Sequence, residues 1–391
     1  MSELDRLTVH EPTDLGWCSA ALPNETTDQD GNLAIFDERQ RDPRVPAKRV
    51  FEDSQVQALR TYLKENNGLI DVELCEPDEL DRITRIFHRD GFVVVKNLLL
   101  PEDLERFRQG CVNQLKEILS IKGKDGRKYI SETGRLPHRY SYGTSSASRQ
   151  LLHDPIWASM VDLPATTPIL KSLFGPGGYH VLGSGGDLCL PGAIEYQVLH
   201  VDFREDYAIP AGRLQQAGSL GVEPRKVENG ELDPRSQQMI LVKTPPIITI
   251  NFFMSDLTWE NGPIRHIPGS HAMPFAPPGQ PEEPEWMRLC TLAGAPAGAG
   301  VFRDSRAWHG ATPNVSKEVR AMPNVEYAAP WVADDRFVPT MPHEIWSTLS
   351  DHAKKICAKV KAEPGVWPAG AGVMHPLANE RLKAKEKKSH L

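Results

Sequence analysis

The chain has 391 residues, of which 40% are hydrophobic and 25% charged, with a formal net charge of −7. Those proportions suit a globular protein with a sizeable core, and the acidic balance excludes the basic face on which nucleic-acid binders depend. No apolar run approaches the ~18 residues of a transmembrane helix, so no membrane partner is expected.

The N-terminus, MSELDRLTVHEPTDLGW, carries acidic residues and no apolar core of a secretory signal. The cysteines at positions 18, 75, 111, 189, 290 and 357 are scattered without a CxxC pair, which reads as reduced thiols in a cytoplasmic protein rather than a disulfide frame or zinc site. Residues 1–50 are polar and punctuated by Gly and Pro, as expected of an irregular arm wrapping the core or of a partly mobile segment.

Helical patterns follow over 51–66 and 77–89. GFVVVKNLLL (91–100) is expected to be a strand leading into a helix that starts at Pro101, where a missing N–H costs nothing. Leu104, Phe107, Cys111 and Leu115 then recur at helical spacing, a core stripe, and GKDG (123–126) stops that helix. HRYSYGTSSASRQ (138–150) mixes polar and aromatic residues, Arg139 and Tyr142 among them, and either lines a pocket or is plain surface.

From about residue 177 the pattern changes to short strands between Gly/Pro turns, the spacing of a sandwich or barrel. VKTPPIITINFFMSDL (242–257) contains the clearest buried strand. The segment 206–239 is long and polar, and is read as a lid over a pocket, with a surface insertion as the alternative. Its Arg213, Arg225 and Lys226 either meet an anionic substrate or are solvated. Ile345, Leu349, Ile356 and Val360 predict a docked C-terminal helix within 343–363. The organisation expected is an arm and helix over 1–76, a core over 77–335 and a helical extension with a basic tail over 336–391. The final Ser-His-Leu resembles a peroxisomal address, and a solvated tail explains it equally well.

The chemistry concentrates in YQVLHVDF (196–203) and WHGATPNVSKEVR (308–320). Apolar, β-branched and aromatic neighbours predict a strand over the first, on which His200 and Asp202 point to the same face. With His309 downstream they form the parts of a facial triad, two imidazoles and one carboxylate, that holds ferrous iron by one face and leaves the rest open. Arg320, eleven residues past His309, can return on an adjacent strand and present a guanidinium fork to a dicarboxylate. Asp304 and Arg306 form a candidate ion pair beside the distal histidine, and Trp308 reads as packing. His266 and His271, flanking IPGS, are not expected to be ligands.

Over residues 80–330 the sequence resembles the phytanoyl-CoA dioxygenase family of Fe(II)/2-oxoglutarate oxygenases. The segments that carry the resemblance, in order, are DELDRITRIFHRDGFVVVKNLLLPEDLERF (78–107), YQVLHVDF, ENGPIRHIPGSH (260–271) and VFRDSRAWHGATPNVSKEVRAMPNVEY (301–327). It implies a mainly β fold with flanking helices, a double-stranded β-helix or jelly-roll. It also implies catalytic and metal-binding roles for His200, Asp202 and His309, with Arg320 on the far carboxylate of 2-oxoglutarate. Gln197 would contact the cosubstrate, and so would Asn251, which stands where many relatives have Trp; its alternative is satisfying a strand. Ser316 would contact the cosubstrate or cap the turn before Arg320.

The expected reaction is hydroxylation or desaturation of a C–H bond in a small molecule, a specialised metabolite by this reading, by O₂ and 2-oxoglutarate, with release of succinate and CO₂. Asp at position 202, rather than Gly or Ala, disfavours halogenation. The alternatives are an acyl-CoA hydroxylase of the same family and a metal-binding jelly-roll without oxygenase chemistry, an isomerase, hydrolase or ligand-binding protein.

Overall fold

A computed structural model describes Trp17 and residues 50–67, 72–120, 138–142, 151–204, 207–279, 282–289 and 292–366. The expected helix stop at 123–126, the segment 143–150, most of the N-terminal arm, Cys18, Cys290 and the Ser-His-Leu terminus lie outside those residues.

The helices are α1 (Ser54–Asn66), α2 (Leu80–Asp90), α3 (Pro101–Ser120), α4 (Pro155–Ala158), α5 (Thr166–Phe174), α6 (Ala211–Ser219), α7 (Pro234–Lys243), α8 (Glu285–Leu289), α9 (His343–Ser347) and α10 (Asp351–Ile356). The strands are β1 (Leu74–Cys75), β2 (Phe92–Val95), β3 (Arg139–Tyr142), β4 (His180–Cys189), β5 (Ile247–Phe252), β6 (Ile264–His266), β7 (Gly300–Asp304), β8 (His309–Ala311) and β9 (Arg320–Ala328). Seven of them form a mixed sheet in the order β1-β2-β7-β5-β9-β4-β3, parallel only at β1–β2, and β6 pairs with β8 in a smaller sheet. The result is the expected jelly-roll with flanking helices.

Strand alternation divides the large sheet into two faces. The outer face, with Val93, Val95, Ile248, Ile250, Phe252, Phe302, Val325 and Tyr327, packs on Ile83, Phe87, Phe107, Ile169 and Leu170 from α2, α3 and α5. On the inner face Phe92, Val94, Val301 and Met322 meet Ile264 of the small sheet, which closes the chamber between the sheets. The expected core stripe of α3 is present, with Phe107, Cys111 and Leu115 buried.

The α2–β2 entry turns on Gly91, whose φ of 83° is a left-handed conformation open to glycine at little cost. A Cβ there would also come within 2.5 Å of the His271 ring, so the same glycine brings α2 against the turn after β6. The insertion around 206–239 folds into two helices. Asp233 caps α7 by accepting from Arg235 N and Ser236 N, with Pro234 in the first turn. The C-terminal helix differs from expectation: it is two short helices, because Ser350 starts a new cap on Ala353 N after the turn at Thr348–Leu349. Cys75, Cys111, Cys189 and Cys357 are buried free thiols. No helix among the described residues is long and apolar enough to cross a membrane.

Candidate metal centre

His200, Asp202 and His309 come together at one end of the chamber, with one potential ligand atom from each lying within 4.8 Å of the others. The segment 196–203 is extended but pairs with β8 only locally rather than as a full strand. His200 and His309 exchange two backbone hydrogen bonds of 3.0 and 3.1 Å, and Asp202 N donates to Ser305 O. Beside this bridge, Gly310 lies so close to the segment that a Cβ would sit 2.7 Å from Gln197 O; the glycine after the distal histidine lets the two chains approach.

His200 Nε2 lies 3.7 Å from Asp202 Oδ1, and His309 Nε2 lies 3.5 Å from Asp202 Oδ2. The two imidazole rings are 4.2 Å apart between centroids. Each ring places Nδ1 against the carbonyl two residues earlier, His200 on Val198 O at 2.9 Å and His309 on Ala307 O at 3.0 Å. A carbonyl can only accept, so Nδ1 carries the proton and Nε2 is left with its lone pair toward the cluster. Burial, and after it the positive charge of Arg303, holds His309 well below the ordinary imidazole pKa, so it is neutral and competent as a ligand. His200 and Asp202 stand on the more open side while His309 is buried, which leaves a path to the cluster.

Arg320 begins β9 in register with Cys189 of β4 and shares its face with Met322 of the chamber wall. Only 2% of it is exposed, yet its one hydrogen-bond partner among the described residues is the thioether of Met322, and Nε has none. A buried guanidinium normally has a carboxylate or several carbonyls around it. Among the described residues nothing anionic pairs with this fork, and a carboxylate would fit its chemistry.

The other expected cosubstrate contacts are differently engaged. Gln197 Oε1 accepts from Ala311 N at 3.0 Å, beside the triad. Asn251 faces the chamber and its Oδ1 accepts from Arg303 Nη1 at 3.3 Å. Ser316 Oγ donates to Asn314 Oδ1 and accepts from Glu318 N, which ties the turn before Arg320. Arg139 is committed to the carbonyls of Ala193, Glu195 and Thr312, and Tyr142 sits on the outer face against Cys111 and Trp157. Asp304 and Arg306 form the expected ion pair through two contacts of 2.9 and 2.7 Å. Burial would raise the Asp304 carboxyl, but Arg306 outweighs it and keeps the group ionised. Trp308 packs with Leu199, Ile267 and Met287.

His266 pairs with His309 across β6–β8, its ring stacked 5.9 Å from that of His309, and it stands outside the ligand group, as expected. The residue that sequence reasoning missed is Arg303. It lies on β7 and forms an ion pair with Asp202 Oδ2. Its parity with Val301, which faces the chamber, was the available signal.

Residues 225–322 match the family model described as phytanoyl-CoA dioxygenase (PhyH). The match bears out the family resemblance over a stretch that includes His309 and Arg320. Among solved structures, the epimerase SnoN in complex with Fe3+, alpha ketoglutarate and nogalamycin RO is 17% identical, covering 65% of this chain and 84% of its own, at a TM-score of 0.43. HygX from Streptomyces hygroscopicus, solved with nickel, 2-oxoglutarate and hygromycin B, is 14% identical over 64% of this chain and 87% of its own, at 0.41. AviO1 from Streptomyces viridochromogenes Tue57 is 16% identical over 65% of this chain and 97% of its own, at 0.39.

Proposed function

We propose that the chain is a non-haem Fe(II)- and 2-oxoglutarate-dependent dioxygenase that oxidises a C–H bond of a small organic molecule and releases succinate and CO₂. The observation that carries the proposal is the buried fork of Arg320, which no carboxylate among the described residues meets, in the chamber that also holds two lone-pair imidazoles and a carboxylate. A metal-binding hydrolase or isomerase has no use for such a fork, whereas a dicarboxylic cosubstrate has one carboxylate to give it.

His200, Asp202 and His309 would hold the ion through Nε2, a carboxylate oxygen and Nε2, a donor set suited to ferrous iron. Iron bound there would supply the redox chemistry that couples O₂ and 2-oxoglutarate to C–H oxidation. The protein's own contributions are separate from that chemistry. Val198 O and Ala307 O fix the two rings, and burial keeps His309 unprotonated. Arg320 would orient the cosubstrate, with Gln197 and Asn251 close enough to the triad's neighbours to take part. The insertion around α6 and α7 would cover the substrate, a specialised metabolite in this reading, and exclude water during turnover.

The test is succinate formed from 2-oxoglutarate in the presence of Fe(II) and O₂, with and without a chelator. Chelator-sensitive succinate formation is the expected result; metal-independent turnover, or none with iron bound, would overturn the proposal.

A further inference from the structure

We propose that the groove between α2, α5 and the end of α7 binds a small phosphate monoester that also carries hydroxyl groups, the chemistry of a sugar phosphate. The groove exists because α2 has two characters. Ile83, Ile86 and Phe87 go into the core behind the large sheet, while Asp81, Thr84, Arg85, His88 and Arg89 recur at three- and four-residue spacing along another side. Ser172 of α5 and Val242 and Lys243 of α7 complete the wall around a space of about 430 Å³, a size that suits a small molecule. None of these residues belongs to the triad or holds Arg320, so the inference is independent of the metal-centre reading.

The donors suit a phosphate. Arg82 spans Glu73 and Glu79, and Arg89 spans Glu73 and Asp90, but neither Arg85 nor Lys243 has an ion pair or side-chain hydrogen bond among the described residues. Thr84 Oγ1 and Ser172 Oγ lie 2.7 Å apart, with no other side-chain partner among the described residues. One of their two protons joins them, and the other is left to give. Two cations and a hydroxyl proton match the charge and acceptor oxygens of a phosphate.

A bare anion leaves the remaining groups without a purpose. Asp81 lines the same groove, has no ion pair among the described residues, and repels an anion. His88 is 6% exposed and turns Nδ1 toward Val242 O at 3.3 Å, so Nε2 carries the lone pair. Burial, and then the charge of Lys243, keeps that ring neutral. Asp81 and His88 Nε2 thus accept and do not donate, which is what hydroxyl groups need. A phosphorylated polyol satisfies both halves at once, and it would join α2 and α5 to the second helix of the insertion. The competing account gives these charges only to the helix ends, Asp81 to the start of α2 and Lys243 to the close of α7, and it predicts no binding.

Titration calorimetry separates the two, with glucose 6-phosphate, inorganic phosphate and glucose added in turn to the purified full-length protein at one ionic strength, without metal or 2-oxoglutarate. Glucose 6-phosphate is expected to bind saturably, inorganic phosphate roughly tenfold more weakly for want of the hydroxyl contacts, and glucose not measurably. Arg85→Gln and Lys243→Gln should each weaken glucose 6-phosphate roughly fivefold, a charge-assisted contact discounted for exposure, with the circular dichroism of the parent. Asp81→Ala removes a repulsion and an acceptor together, so inorganic phosphate should tighten while the advantage of glucose 6-phosphate over it narrows. No saturable binding of either phosphate, or binding that Arg85→Gln and Lys243→Gln leave unchanged, would overturn the site. Equal affinity of the parent for the two phosphates would overturn the roles given to Asp81 and His88.

Discussion

Arg213 and Arg320 are both shut away from water, and the chain treats them in opposite ways. Arg213 donates to Thr244 Oγ1 at 2.8 Å, to Thr244 O and Ala208 O at 3.1 Å, and lies 4.9 Å over the Trp331 ring. It is the bolt that fastens α6 to the end of α7, so neither of the two fates expected for it, substrate contact or solvated surface, is realised. Among the described residues Arg320 has one hydrogen-bond partner, a thioether. A buried cation whose donors are all met inside the chain is architecture, while one left with a sulfur atom is a site whose partner comes from outside. The helical insertion and the chamber are distinguished by that accounting more clearly than by burial, which is nearly the same for both.

The most severe way to break the chamber side is to remove a metal ligand. His200→Ala or Asp202→Ala should abolish metal binding and turnover while circular dichroism shows the fold retained, because one ligand is lost from three. Full activity in either variant would end the triad reading.

The contrast between the two arginines sharpens next. Arg320→Ala should raise the 2-oxoglutarate concentration needed for half-maximal turnover by roughly ten- to hundredfold, the worth of a charge-assisted pair of about 1.5–3 kcal/mol. Its melting temperature should hold or rise, since an uncompensated buried charge is gone. Arg213→Ala should do the reverse, costing about 2–4 kcal/mol of stability by stranding Thr244 and its neighbouring carbonyls, with cosubstrate affinity little changed. Two variants that behave alike in both measurements would erase the distinction.

Acid creates new buried cations and asks the same question by titration. Burial, and then Lys243, pushes His88 down to about 4, and burial pushes His266 well below its ordinary value. The folded pKa lies below the unfolded one, so protons bind the unfolded chain first as the pH falls. Stability should therefore be unaffected above about pH 6.5 and be lost progressively toward pH 4. For His88 the loss is about 3 kcal/mol. Denaturant unfolding of the metal-free protein at pH 7 and pH 5 measures it, and equal midpoints would contradict the burial argument.

The mildest effect is expected from the exposed turn between α6 and α7, residues 223–231. Replacing it with a short Gly/Ser linker leaves the Arg213 bolt in place. It should impair coupled oxidation of the substrate more than metal binding, with uncoupled 2-oxoglutarate decarboxylation persisting. Substrate oxidation as efficient as the parent's would make the turn a surface ornament.

How far the sequence could be read depended on the range of the interaction involved. His200 and Asp202 were legible because a two-residue spacing fixes a shared face locally, and Asp304–Arg306 is likewise a two-residue relation. The buried strand at Ile247–Phe252 and the stripe of α3 announced themselves by apolar pattern. Arg303 did not, because its partners are Asp202 and Asn251, 101 and 52 residues away in the chain, and periodicity says which face a residue occupies but not what meets it there. The insertion was read by length and polarity as a lid, though the Asp233–Pro234 start of α7 was there to see. Polarity misled at Arg213, since three carbonyl and hydroxyl acceptors bury a charge as well as a counter-ion does.

Trp17 carries a practical consequence for anyone trimming this protein. Its indole N–H donates to Ser316 O at 2.7 Å, and its ring packs with Val56, Leu59, Leu63 and Val315. Ser316 belongs to the tie that sets the turn leading into Arg320. An expression boundary drawn at the first helix would therefore discard a strut of the cosubstrate-side turn along with the arm. A shortened protein that folds well but needs more 2-oxoglutarate would trace its defect to a tryptophan some three hundred positions upstream of the arginine.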